Sequence, residues 1–199
     1  MRPDLEVIAG MVPPRSRVLD VGCGDGTLLE HLIRHAGCTG QGVDASSHGF
    51  AACVARGVPV IQADVDAGLP AFADRSFDVA VLSLTLQATR EPAFVLRELI
   101  RLAPVAIVSV PNFGHWRLRG QLGLRGRMPV SRTLPHPWHA TPNIHLCTIR
   151  DLEDLLAAER LAVAELATLD GRGAARHGPL VRRWPNLFAA EVAVRVVPA

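Results

Sequence analysis

Residues 17–32 read RVLDVGCGDGTLLEHL. The apolar run RVLDV stops at a turn with glycine at 22, 24 and 26, and leucines then recur at helical spacing through TLLEHLIRHA, residues 27–36. Strand, glycine turn and helix in that order open a βα unit. Glycine lets the backbone turn sharply and approach a ligand closely, and the helix start behind it offers free N–H groups to an anionic group. A dinucleotide fingerprint, G-x-G-x-x-G, needs glycine at position 27, which is threonine; the spacing is G-x-G-x-G.

The same alternation continues to residue 111. TGQGVDA (39–45), VPVIQADV (58–65), SFDVAVLSL (76–84) and VAIVSVP (105–111) read as strands, separated by helical patterns at 49–57 and 91–103. Repeated βα units predict a mostly parallel sheet within an α/β fold. The period then breaks at 112–149, which is crowded with Pro, Gly, His, Trp and Arg and holds no acidic residue. So long an irregular insertion is functional or disordered, and its aromatic content argues against disorder. A helix at 149–161 and strands at 162–169 and 186–197 follow. No linker or repeat divides the chain, so residues 1–199 are expected to form one domain.

Composition narrows the function classes. The chain is 49% hydrophobic and 20% charged with a net charge of +2, within the range of ordinary globular proteins. All 21 basic residues are arginine, but they form no regular basic repeat, and no nucleic-acid partner is expected. The first residues carry acids and prolines before any long apolar run, and no stretch has spanning length, so neither secretion nor a membrane is indicated. Cys23, Cys38, Cys53 and Cys147 lack C-x-x-C spacing and read as reduced thiols of a cytoplasmic protein.

The G-x-G-x-G turn points to S-adenosylmethionine (SAM) or S-adenosylhomocysteine (SAH), whose amino-acid end sits over such a turn without a pyrophosphate. Asp20, Gly22, Cys23, Gly24 and Gly26 are the candidate contacts of the turn itself. Asp44 closes the second strand about 20 residues on, where a carboxylate accepts from ribose hydroxyls. Asp64, at the end of the third strand, is placed for the adenine amino group, with Val65 on the adenine edge, and Ser83 ends the fourth strand near the methyl. Each has a plainer reading: Asp44 as a helix cap, Asp64 or Asp66 as turn formers.

Methyl transfer needs in-line positioning, and a base only where the nucleophile must lose a proton. After the fourth strand LSLTLQAT lacks the acid or asparagine with two prolines used on base or glutamine nitrogens, which sets that substrate class aside. In PNFGHW, His115 is the candidate catalytic base and Asn112 its orienter, the alternative being a structural hydrogen bond beside Trp116. His136, His139, His145 and Cys147 fit no zinc-finger spacing, and no metal is expected.

RVLDVGCGDGTLL, LSLTLQATREP, VSVPNFGHWRLRGQL, GRMPV, TPNIHLCTIRDLEDL and RWPNLFA together resemble the MetW family of methionine-biosynthesis proteins over almost the whole chain. The resemblance implies a seven-stranded class I methyltransferase fold, a Rossmann-like three-layer sandwich with strand order 3-2-1-4-5-7-6 and an antiparallel last strand. It further implies association with homoserine O-acyltransferase as an activating subunit, with the 112–149 segment as the natural partner surface. An active methyltransferase on a small-molecule acceptor is the alternative. Ser46, Ser47 and His48 stand where such proteins are expected to carry a further acid.

Overall fold

Val18, Leu19 and Val21 make β1 (Arg17–Val21) a strand buried on both faces, and its neighbours are equally apolar. The computed structural model describes residues 1–199. Seven strands form one sheet: β1, β2 (Thr39–Asp44), β3 (Val60–Gln62), β4 (Val79–Ser83), β5 (Val105–Pro111), β6 (Leu161–Leu169) and β7 (Glu191–Pro198). Their order is β3-β2-β1-β4-β5-β7-β6, parallel from β3 to β5, with β7 antiparallel to both of its neighbours. This is the expected α/β architecture.

Strand alternation sends side chains to two cores. Leu19, Val21, Ala80, Leu82, Val108 and Val194 face the core shared with α4 (Pro92–Leu102) and α6 (Ile149–Ala158). Val18, Val79, Val81 and Ile107 face the other, shared with α1 (Pro3–Met11) and α2 (Thr27–Ala36). Asp20, Ser83, Ser109 and Glu191 fall at the polar positions of this second face. The helix α3 (Ser47–Ala55) packs against β2 and β3, where its Cys53 joins the second core.

Helix ends follow local rules. Pro92 opens α4 at its first turn. Thr148 and Asp151 close a reciprocal capping box on α6: the Asp151 amide donates to Thr148 Oγ1 at 3.3 Å and the Thr148 amide to Asp151 Oδ2 at 2.8 Å.

The structure adds elements that periodicity does not show. Residues 3–11 form α1, and within 112–149 the stretch Trp116–Arg125 forms α5, which leaves 112–115 and 126–148 without regular structure. Gly120 and Gly123 lower the helix propensity of α5 by about 1 kcal/mol each, and it buries only Leu118, which hides it from a pattern reading. The short helix α7 (Pro179–Arg183) lies in the turn-rich stretch before the expected last strand, α8 (Pro185–Phe188) occupies the start of that strand, and β3 is shorter than read. No helix is long and apolar enough to cross a membrane.

Candidate functional site

The glycine turn is held from behind and open in front. The amides of Gly22 and Cys23 both donate to the Val43 carbonyl of β2, at 2.7 and 3.1 Å. Gly22 has φ +70°, and a Cβ there would lie 2.4 Å from Thr85 Oγ1, so no side chain fits. Gly24 has φ +56°, but a Cβ would meet nothing within 4 Å, because this residue looks into open space. Gly26 packs on Cys53, and on either side of it the amides of Asp25 and Leu28 find no acceptor in the chain.

That open space is a cavity of about 700 Å³ bounded by the turn, the start of α2, the end of β4 and the N-terminus of α1. Asp20 lines it, only 2% exposed, and its carboxylate accepts no hydrogen bond from the chain. Burial, and secondarily the Asp44 charge, push its pKa up to about 7. A buried carboxylate without donors is costly, and a cation in the cavity would offset that cost. Ser83 also lines the cavity, its Oγ 3.4 Å from Ser109 Oγ, which accepts the Leu84 amide at 3.1 Å. Leu84 holds φ +50°, a strained conformation for a leucine, where the chain turns from β4 along the cavity wall.

Asp44 stands behind the turn and lines neither this cavity nor its neighbour. Its Oδ2 accepts the Gly24 amide at 2.8 Å, while Oδ1 accepts the amide and hydroxyl of Ser46 at 2.8 and 2.7 Å. Ser46 Oγ in turn accepts the Gly49 amide at 3.0 Å, capping α3. Three of about four acceptor sites on the carboxylate are thus taken. Gly49 permits this approach, since a Cβ there would sit 2.7 Å from Asp44 Cγ.

A smaller cavity of about 190 Å³ shares Gly22 and Thr85 with the first. Its walls are largely apolar, from Val21, Val43, Ala63, Val65 and Ala88, with Asp64 at the rim. Asp64 Oδ1 accepts the Asp66 amide at 3.0 Å, and Oδ2 lies 3.6 Å from the Arg90 guanidinium. Asp66 instead takes the amides of Arg90 and Glu91, so its carboxylate braces the entry to α4.

The structure does not bring every candidate together. The Cys23 thiol is packed against Cys53, with sulfurs 3.6 Å apart, and burial raises its pKa, so only its backbone faces the turn's chemistry. His115 lines a separate cavity of about 580 Å³ that shares no residue with the glycine-turn cavity. Its Nδ1 accepts the Arg117 amide at 3.4 Å, capping α5, and its pKa is lowered by burial and then by Arg117 and Arg176. Asn112 does not orient the ring: its side chain donates to Asn186 and Ala189 carbonyls at 3.0 and 2.7 Å and accepts the Gly114 amide. No three of His, Cys, Asp or Glu converge to hold a metal ion.

Sequence reasoning missed Met1, Arg2 and Leu5, which close one side of the main cavity, and Arg56, which reaches it across Asp25. A signal existed for α1, since Pro3 at its first turn precedes Asp4 and Glu6, with Leu5 and Ile8 spaced to one face.

Comparison with known proteins agrees with this architecture. A SAM-dependent methyltransferase of Thermotoga maritima superposes with a TM-score of 0.69 over 99% of this chain and 88% of its own, at 19% identity. One from Mesorhizobium loti does so with a TM-score of 0.69 over 96% of each chain, at 20% identity. Such identities establish the fold alone. The bifunctional methionine biosynthesis protein MetXA/MetW of Rhodopirellula baltica is 36% identical over 171 residues, covering 81% of this chain and 27% of that protein. The chain therefore spans little more than a quarter of that relative. The family described as methionine biosynthesis protein MetW matches residues 2–197, and the chain belongs to it.

Proposed function

We propose that this protein binds SAM or SAH in the glycine-turn cavity and acts in the cytoplasm as the accessory, activating partner of a homoserine O-acyltransferase. The observation that carries the cofactor reading is the unpartnered, buried Asp20 carboxylate beside the open face of Gly24. The donor set fits the ligand part by part. Asp20 takes the ammonium of the methionine moiety, and the free Asp25 and Leu28 amides take its carboxylate. Asp44 offers its remaining acceptor site to the ribose, Asp64 accepts from the adenine amino group, and Val65 packs on the ring. Gly22, Gly26 and the Cys23 backbone shape the turn, and Ser83 sits beside the sulfur. SAM supplies an electrophilic methyl group when bound. His115, the one candidate base, stands in another cavity, which favours binding over transfer.

The partner reading rests on the family and on the MetXA/MetW relative, whose name joins two functions in one chain. The segment after α5 offers a surface for it. Trp138 is 74% exposed and lines a groove with Met128, Leu134, Ile144 and Leu146, near the arginines 125 and 127 in sequence. Exposed tryptophan over an apolar groove is a typical anchor of protein interfaces.

Co-purification of untagged partners with this chain, followed by an acyltransferase assay with and without it, tests the reading. Recovery of the acyltransferase and faster acyl transfer in its presence are expected. An acyltransferase that neither binds nor responds, while labelled SAM passes its methyl group to a small molecule, would favour the enzyme alternative.

A further inference from the structure

The cavity around His115 has its own chemistry, independent of the cofactor reading. Three segments converge on it: the start of α5, the loop at Ser131–Thr133 and the turn from Asp170 to Arg176 after β6. Four arginines line it, at 117, 132, 172 and 176, against a single acid, Asp170. That acid is committed to its own turn, where Oδ1 accepts the amides of Arg172 and Ala174 at 2.7 and 3.1 Å. The guanidinium groups of Arg117, Arg132 and Arg172 make no ion pair or hydrogen bond, and that of Arg176 donates only to the Phe188 carbonyl at 3.1 Å. Like charges gathered without neutralisation repel one another, and a multivalent anion relieves that repulsion.

A histidine in the cavity wall points the same way. His115 is 7% exposed, and because its Nδ1 accepts the Arg117 amide, the neutral ring carries its proton on Nε2. His115 lines the cavity, and its Nε2 has no hydrogen-bond partner in the chain. Trp116, 46% exposed, walls the same space, with the Arg117 guanidinium 5.2 Å from its ring centre. Arginine forks match phosphoryl oxygens, and an indole face stacks on a nucleobase.

We propose that this cavity binds a phosphorylated small molecule, a nucleotide, with its phosphoryl oxygens held by Arg117, Arg132, Arg172, Arg176 and His115 Nε2–H and its base against Trp116. The role of His115 is then to donate to an anion.

Calorimetric titration of the full chain with ADP, pyrophosphate and adenosine, each with and without saturating SAH, tests this. ADP and pyrophosphate are expected to bind whether or not SAH is present, weakening with added salt, while adenosine with SAH present does not bind. Arg172→Glu with Arg176→Glu should weaken ADP by roughly tenfold or more and leave SAH affinity unchanged. His115→Gln, which retains an N–H donor, should bind ADP better than His115→Phe. Should the Arg172→Glu, Arg176→Glu double variant prove unfolded, Arg132→Glu alone gives the same reading. Pyrophosphate binding without ADP binding would overturn the nucleotide assignment. Failure of both to bind, displacement of ADP by SAH, or binding unmoved by the arginine substitutions would overturn the site. SAH binding is a separate outcome in every arm.

Discussion

The amide of Gly24 donates to Asp44 Oδ2 at 2.8 Å, so the acid that ends β2 is the brace of the glycine turn. The same carboxylate holds Ser46, and through it the start of α3. Asp44→Ala should therefore lower stability by about 1–3 kcal/mol as well as weaken SAH binding at least about tenfold. Ser46→Ala separates the two effects. It loses the α3 cap, costing about 1 kcal/mol, but frees one acceptor site on Oδ1, which keeps the Ser46 amide, so SAH affinity should hold or rise. Thermal melts and calorimetry on both variants check this; a parallel loss of affinity in Ser46→Ala would contradict it.

Asp20 links stability to pH. Its carboxyl keeps a proton to about pH 7 in the native state, against 3.8 for its ordinary value. Between those values the native state binds more protons than the unfolded chain, so this contribution is complete at low pH and is lost as pH rises through about 7. Glu191, buried and beside Asp4, acts with the same sign, its pKa raised from 4.5 to about 8. The free protein should melt higher at about pH 6 than at about pH 8.5, and Asp20→Asn should flatten part of that slope. The same variant should weaken SAH, and SAH binding to the natural chain below about pH 7 should release protons, since the ammonium favours the ionised carboxylate. Melts across pH and calorimetry in buffers of differing ionisation enthalpy read both effects.

Gly22→Ala places a methyl at φ +70° against Thr85. A loss of about 1–3 kcal/mol is expected from strain and overpacking. The double change with Thr85→Ser should recover part of it, because one of the three crowding atoms, Thr85 Cγ2, is removed. Denaturant titration measures both.

For the partner surface, Trp138→Ala and the pair Arg125→Glu with Arg127→Glu should weaken acyltransferase association while leaving SAH affinity unchanged. A pull-down retaining the acyltransferase at full strength with either, and losing it with changes elsewhere, would place the interface on another surface.

Much of this site is legible in the chain because its residues sit at strand ends, where alternation and glycine spacing are visible. RVLDVGCGDGTLLEHL predicts a strand, a glycine turn and a helix behind it, all of which the structure has; that Thr85 closes the turn at Gly22 while Gly24 stays open is set by the chain leaving β4 and is not visible in that stretch. The sequence does not show that Asp44 spends its acceptors on Gly24 and Ser46, since that depends on α3 folding back over the turn at Gly49. Nor does it show Arg2 and Leu5 at the cavity, which come from a helix with only a weak apolar pattern. His115 looked like a base from its neighbours in PNFGHW, but the turn at Asp170–Arg176, distant in sequence, decides its surroundings.

Calorimetric titration of SAH into the natural chain and into Gly24→Arg tests the central claim most directly. The substituted side chain meets no protein atom near its Cβ and extends into the cavity, at a backbone cost of about 1–2 kcal/mol. The natural chain should bind SAH and not NAD, and the folded variant should bind neither. A folded natural chain that gives no heat with SAH, or a variant that binds it with undiminished affinity, would contradict it.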